Sequence, residues 1–182
     1  GVALNNDQRG TGFARAVNGD GDNVATVDIG AYEAQSPPQV SPLVVTNTND
    51  SGPGSLRNAI LNASLNGPDN LVVFAEGLTG AITLQTALPD LSFPLVINGP
   101  GPDKLTVQST NAFFAPLRIF KIDKGAVVKI SGLTISKGQA GGATINSGSG
   151  GGIFNEGTLN IDNCNITGNA AGLGGGVANR GS

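Results

Sequence analysis

The stretch Asn18-Gly19-Asp20-Gly21-Asp22 sets oxygen-bearing side chains at alternate positions, with Asp28 a little downstream. That spacing suits a calcium loop, in which side chains and carbonyls together supply about six to eight oxygens. Counted from Asn18, the position that needs a bidentate glutamate is Ile29, and the position that needs a turn glycine is Asn23. Two readings stand: a calcium site on Asn18, Asp20, Asp22 and Asp28, or a solvated Gly/Asp turn. The incomplete ligand set favours the turn. Asp90, Asp103, Asp123, Glu156 and Asp162 are scattered along the chain and form no repeated adjacent pair. Glycoside hydrolysis normally needs two carboxylates facing one cleft. Arg118, near Lys121 and Asp123, is the closest approach of a base to acids, and it reads as a solvated strand end or turn. The chain has no histidine, which removes the commonest general base and the commonest metal ligand together. No catalytic residue is assigned and no cofactor is expected, calcium being the one ion the sequence raises.

Composition bounds the elements that must carry these residues. Glycine supplies 29 of 182 positions, more than twice the usual share of roughly 7%. The glycines cluster in runs between short stretches of Val, Ile, Leu and Thr, which favours many short strands joined by tight turns. Charged residues are 13% of the chain and the net charge is −3. Without basic clusters, nucleic acid is not expected as a partner. No apolar run reaches the roughly 18 residues of a membrane span, so no membrane insertion is expected. The abrupt start and the stop within a repeat suggest a piece of a longer protein.

Three regions separate. Residues 1–35 are polar and end in Val27-Asp28-Ile29-Gly30-Ala31-Tyr32-Glu33; residues 36–42 are a Pro-rich extended linker; residues 43–182 carry a repeat. Gly150-Gly151-Gly152-Ile153-Phe154-Asn155-Glu156-Gly157 returns 24 residues later as Gly174-Gly175-Gly176-Val177-Ala178-Asn179-Arg180-Gly181. Val128-x-Ile130-x-x-Leu133-x-Ile135 returns 31 residues later as Leu159-x-Ile161-x-x-Cys164-x-Ile166. The difference of seven fits one longer loop around Gly141–Ser149. Repeats of this length signal a solenoid. Apolar residues at alternate positions, a short break and then two more alternating ones are strands turning a corner, because a helix needs spacings of three and four. The fold class is therefore all-β: a right-handed parallel β-helix (solenoid), with Ile130, Ile135, Ile161 and Ile166 pointing inward.

Ser55 is placed to N-cap a short helix over about 55–63, with Leu56, Ala59, Ile60 and Ala63 on one face. Such a helix would cover the first coil and hide its strand edge. Asn155 and Asn179 are equivalent by repeat: stacked, their amides would form an internal ladder; unstacked, they are two turn asparagines. Cys164 takes the place of Leu133 and reads as a small core residue. Asn165-Ile166-Thr167 has the form of a glycosylation sequon and reads as turn preference.

Val44-Val45-Thr46-Asn47-Thr48-Asn49-Asp50-Ser51-Gly52-Pro53-Gly54-Ser55-Leu56-Arg57-Asn58-Ala59-Ile60 resembles the opening segment of bacterial CSLREA-type surface proteins, with Gly54 for the Cys and Asn58 for the Glu of the label. Ile97-Asn98-Gly99-Pro100-Gly101, Gly132-Leu133-Thr134-Ile135, Gly151-Gly152-Ile153-Phe154-Asn155 and Asn165-Ile166-Thr167-Gly168-Asn169 are also similar to that family. Asp7-Gln8-Arg9-Gly10, with residues 27–33, resembles the segment that closes such a β-helix. The resemblance implies a right-handed β-helix related to polymorphic outer-membrane and pectate-lyase-like folds, secreted or at the cell surface. A closing segment ahead of an opening one implies tandem modules, or head-to-tail assembly in which residues 1–35 complete a neighbour's open end. The expected role is a non-catalytic structural module: a stalk, adhesin arm or fibre subunit. The alternative is a carbohydrate-binding or polysaccharide-cleaving β-helix, and the pectin-cleaving members of the fold pair calcium-binding acids with an arginine base. No receptor or glycan is identified by the residues.

Overall fold

A computed structural model describes residues 16–17, 26–27, 42–65, 70–110, 116–142 and 148–182. The chain divides into two compact units, Gly1–Val40 and Ser41–Ser182. In the first, β1 (Ala16–Val17) pairs antiparallel with β2 (Thr26–Val27). The calcium candidates Asn18, Asp20, Asp22 and Asp28 lie outside the described residues, as does nearly all of the 36–42 stretch.

The second unit begins with β3 (Leu43–Val45), α1 (Leu56–Ala63), β4 (Leu71–Phe74), β5 (Gly80–Leu84) and β6 (Leu95–Asn98). It continues with β7 (Leu105–Ser109), β8 (Phe120–Ile122), β9 (Val127–Ser131) and β10 (Thr134–Ser136). β11 (Ile153–Asn155), β12 (Thr158–Asp162), β13 (Asn165–Thr167) and β14 (Val177–Asn179) complete it. The strands sort into three sheets with the orders β3-β4-β6-β9-β12, β5-β7-β10-β13 and β8-β11-β14. Every pairing within them is parallel. The chain thus visits one sheet after another and returns one strand higher, making about four coils of a parallel β-helix.

Register explains the core. Val72, Ile97, Ile130 and Ile161 are successive partners in the first sheet, and Ile82, Val107, Ile135 and Ile166 in the second. Because side chains alternate sides along a strand, one unslipped register puts a whole column inside. Val72, Ile97, Ile130, Ile82, Val107 and Ile135 are all fully buried. Burying each such side chain stabilises by about 1.5–3 kcal/mol. In the fourth coil the same columns are covered from one side, so Ile166 is half-buried and Ile161 is 37% exposed. Cys164 is half-buried against this core, as its equivalence to Leu133 implies, and burial pushes its thiol pKa up.

Unequal coils stay in register because the surplus leaves at corners. Gln139 bridges Ala170 and Ser149 bridges Leu173, so the seven extra residues of the third coil lie between Gln139 and Ser149. The glycine runs make the corners. Gly150 and Gly174 both have left-handed φ, +64° and +59°, which L side chains rarely adopt. Gly99 and Gly132 are in adjacent coils whose backbones nearly touch: a Cβ on either would run into the other's carbonyl oxygen.

The asparagine ladder is present, and it also holds the turns. Asn155 is fully buried and its Nδ2 donates to Asn179 Oδ1 at 2.6 Å. Asn155 Oδ1 accepts from the Gly157 N–H at 3.0 Å, and Asn179 Oδ1 from the Gly181 N–H at 3.3 Å. At the other end α1 is capped by Ser55, whose Oγ accepts from the Asn58 N–H at 3.2 Å. Leu56, Ala59, Ile60 and Ala63 are buried, so the helix lies over the first coil as its spacing predicts.

Ile130→Ala should cost about 3 kcal/mol, as for a fully buried aliphatic, and Ile161→Ala about 1 kcal/mol. Asn155→Ala should cost about 2 kcal/mol, because it leaves the buried Gly157 N–H without its acceptor. Urea denaturation of the three variants checks the order.

Candidate functional site

On β8, Lys121 lies between the buried residues Phe120 and Ile122, on the opposite side of the strand. Its register partner on β11 is Phe154, which therefore also faces away from Ile153 and Asn155. Phe154 is nonetheless fully buried. The Arg118 guanidinium covers it, with Cζ 4.6 Å from the ring centroid. Arg118 also donates from Nε to the Gly150 carbonyl at 2.9 Å and from Nη2 to the Ser149 carbonyl at 2.6 Å. The guanidinium is thus held between an aromatic ring on the sheet and the end of the longer loop. This corrects the expectation that Arg118 is a solvated strand end. Burial lowers its pKa, and the negative charges of Asp90 and Glu156 push it back up.

Carboxylates that are far apart in the chain meet here. Lys121 Nζ donates to Asp123 Oδ1 at 2.8 Å and pairs as closely with Asp90 Oδ2. Asp90 precedes Leu91, whose bridge to Ile122 brings it beside the strand. Asp90, Lys121 and Asp123 therefore form one cluster, and the charges of Asp90 and Glu156 act on Arg118, where the sequence read as scattered charge. Asp103, in the turn before β7, and Asp162, on β12, are not part of it. Phe154 was missed as a participant, although its place between Ile153 and Asn155 signals the opposite side of the strand.

The geometry limits the chemistry. Hydrogen bonds that Lys121 donates to Asp123 and Asp90 raise its pKa above the ordinary lysine range, which keeps its amine protonated and a donor. Both aspartates spend oxygens on that one ammonium, unlike an acid and base facing across a cleft. Arg118 spends its donors on carbonyls and its face on a ring, which suits clamping the loop. Among the described residues there is no group of three or more His, Cys, Asp or Glu side chains that could hold a metal ion. Among them, too, no helix is long and apolar enough to cross a membrane. No protein-family model, curated protein or solved structure matches the chain.

Arg118→Ala should speed amide exchange at Gly150 and Gly152 by about tenfold, since the ring and both carbonyls lose their partner, while β9 stays protected. A raised lysine pKa adds stability that is complete below the unfolded value and is lost as pH rises through the folded one. The Tm difference between wild type and Lys121→Gln should therefore hold from pH 6 to about 9, begin to shrink near roughly 10.4, the unfolded lysine value, and be lost only as pH rises through the higher folded value.

Proposed function

We propose that the chain is a non-catalytic structural module of an extracellular or cell-surface protein: a stalk, adhesin arm or fibre subunit. The observation that carries this reading is the way the polar chemistry is used. The charged cluster is spent on its own members and on backbone carbonyls, while the interior is a continuous aliphatic column. Backbone groups bond from coil to coil along all three sheets, which suits a rod that resists bending and proteolysis. The resemblance of residues 44–60 to the opening of CSLREA-type bacterial surface proteins supports secretion or surface display. In this reading residues 1–35 close a preceding module or complete a neighbour, and the module meets its like end to end through open strand edges.

The test uses the purified chain with a panel of acidic and neutral polysaccharides. No reducing ends or unsaturated uronates should be released above the level of an Asp90→Asn/Asp123→Asn double variant. Turnover that the double variant loses would replace this reading with a polysaccharide-cleaving one. Antibody labelling of intact cells of the source organism should find the chain outside; labelling only after permeabilisation would count against display.

A further inference from the structure

Arg57 is the one charged residue of α1, and its guanidinium leaves the helix for the first coil. Nε donates to the Asp50 carbonyl at 3.0 Å and Nη2 to Asp50 Oδ1 at 2.7 Å. Nη2 also donates to the Thr86 carbonyl at 2.8 Å, and Nη1 donates to the Ala87 carbonyl. Asp50 Oδ1 in turn accepts from the Gln85 N–H at 3.3 Å. One ion pair thus grips Gln85, Thr86 and Ala87, which directly follow β5 at the end of the second sheet. With 14% of the Arg57 side chain exposed and 17% of that of Asp50, the pair is largely removed from the solvent that weakens surface ion pairs.

The chain connections of α1 run instead to the first sheet. β3 precedes the helix and β4 follows it, and the two strands pair with each other. Just past β4, the Ala75 N–H donates to the Val45 carbonyl at 2.8 Å. Between β3 and α1 the chain closes on itself. The Thr46 and Asn47 N–H groups both donate to the Gly54 carbonyl, at 2.8 and 3.3 Å, and Asn47 Nδ2 donates to that of Pro53 at 3.0 Å. This compact loop is joined directly to the start of the helix, which packs on β3 and β4. Two of the four residues that α1 buries are alanines, so its apolar hold is small beside that of a coil. A helix of eight residues does not persist in water once undocked.

We infer that the loop and α1 form a hinged lid on the first coil, with its hinge at the β3–β4 pairing and its latch in the Asp50–Arg57 pair. Release of the latch lifts α1 while β3 stays paired. It bares Leu56 and Ile60 on the lid and Val45 and Val72 on the strands it covers, all fully buried when the lid is shut. The inference stands on the bonding of the cap and does not rest on the structural-module reading.

The test is hydrogen exchange on the full chain, with wild type, Arg57→Ala, Arg57→Lys and Ile60→Val compared residue by residue. Amides freed by one opening gain exchange by one common factor. Arg57→Ala should speed the Ala59, Ser64 and Gln85 amides together, by about tenfold or more. Arg57→Lys should speed them less, because lysine reaches Asp50 but lacks the fork that takes the carboxylate and two carbonyls at once. Ile60→Val loosens the lid without touching the latch, and should speed Gln85 together with Ala59 by about fivefold. The Ala75 amide at the hinge and those of β9 should not change in any variant. Binding of a hydrophobic dye should rise in the same order, with the far-UV circular dichroism retained. If Arg57→Ala does not fold, the lysine and valine variants carry the same comparison. A Gln85 amide that responds to the Arg57 variants while α1 does not, or that ignores Ile60→Val, makes the pair a local bond and overturns the lid. Ala75 accelerating with α1 overturns the hinge. No change in either Arg57 variant, or equal acceleration of β9, overturns the latch.

Discussion

Register between coils is the constraint on which everything else in this molecule depends. Leu71 lies beside Val96, Leu95 beside Val128, and Val128 beside Leu159, so the number of residues per coil changes while the pairing does not. A slip of one residue would turn an aliphatic column out into water, a cost repeated at every strand of the sheet. Variation in length is therefore expelled to the corners. The loop between Gln139 and Ser149 shows this, because the two bridges on its flanks hold the coils on either side in step.

The same constraint gives the buried polar groups their work. A coil stacked on another satisfies strand backbone, but corners and ends leave carbonyls and N–H groups over. Asn155 meets this at a corner, serving its own turn through Gly157 and the next coil through Asn179. Arg118 meets it at the mouth of the long loop, and Arg57 at the capped end. A guanidinium suits both sites because its donors are fixed in a planar fork that spans neighbouring carbonyls. Arg57 and Arg118 are thus better understood as backbone partners than as bases.

Much of the fold was legible from local pattern. Alternation in Val128-x-Ile130 and in Leu133-x-Ile135 marks strands, and the return of the glycine run marks the coil. Ser55 followed by Leu56, Ala59, Ile60 and Ala63 marks α1. The equivalence of Asn155 and Asn179 offered the ladder as one of two readings, the other being two turn asparagines. The charged cluster was not legible. Asp90 and Lys121 are 31 residues apart, and Arg118 and Gly150 are 32 apart, with no motif linking them. Arg118 looked like a solvated turn residue because nothing near it in the chain shows that a ring from the next coil lies beneath it.

Sequence alone determined which residues point inward, where the corners fall and where the cap begins, because these follow from backbone geometry over a few residues. Only the tertiary structure decided which outward side chains become neighbours. That choice is made by coil length, which differs from turn to turn and depends on how much chain each corner expels. Hence Lys121 falls between Asp90 and Phe154, and Arg57 beside Thr86 and Ala87. An alternating pattern fixes the side of a strand that a residue takes, and the stacking of one unequal coil on another fixes its company.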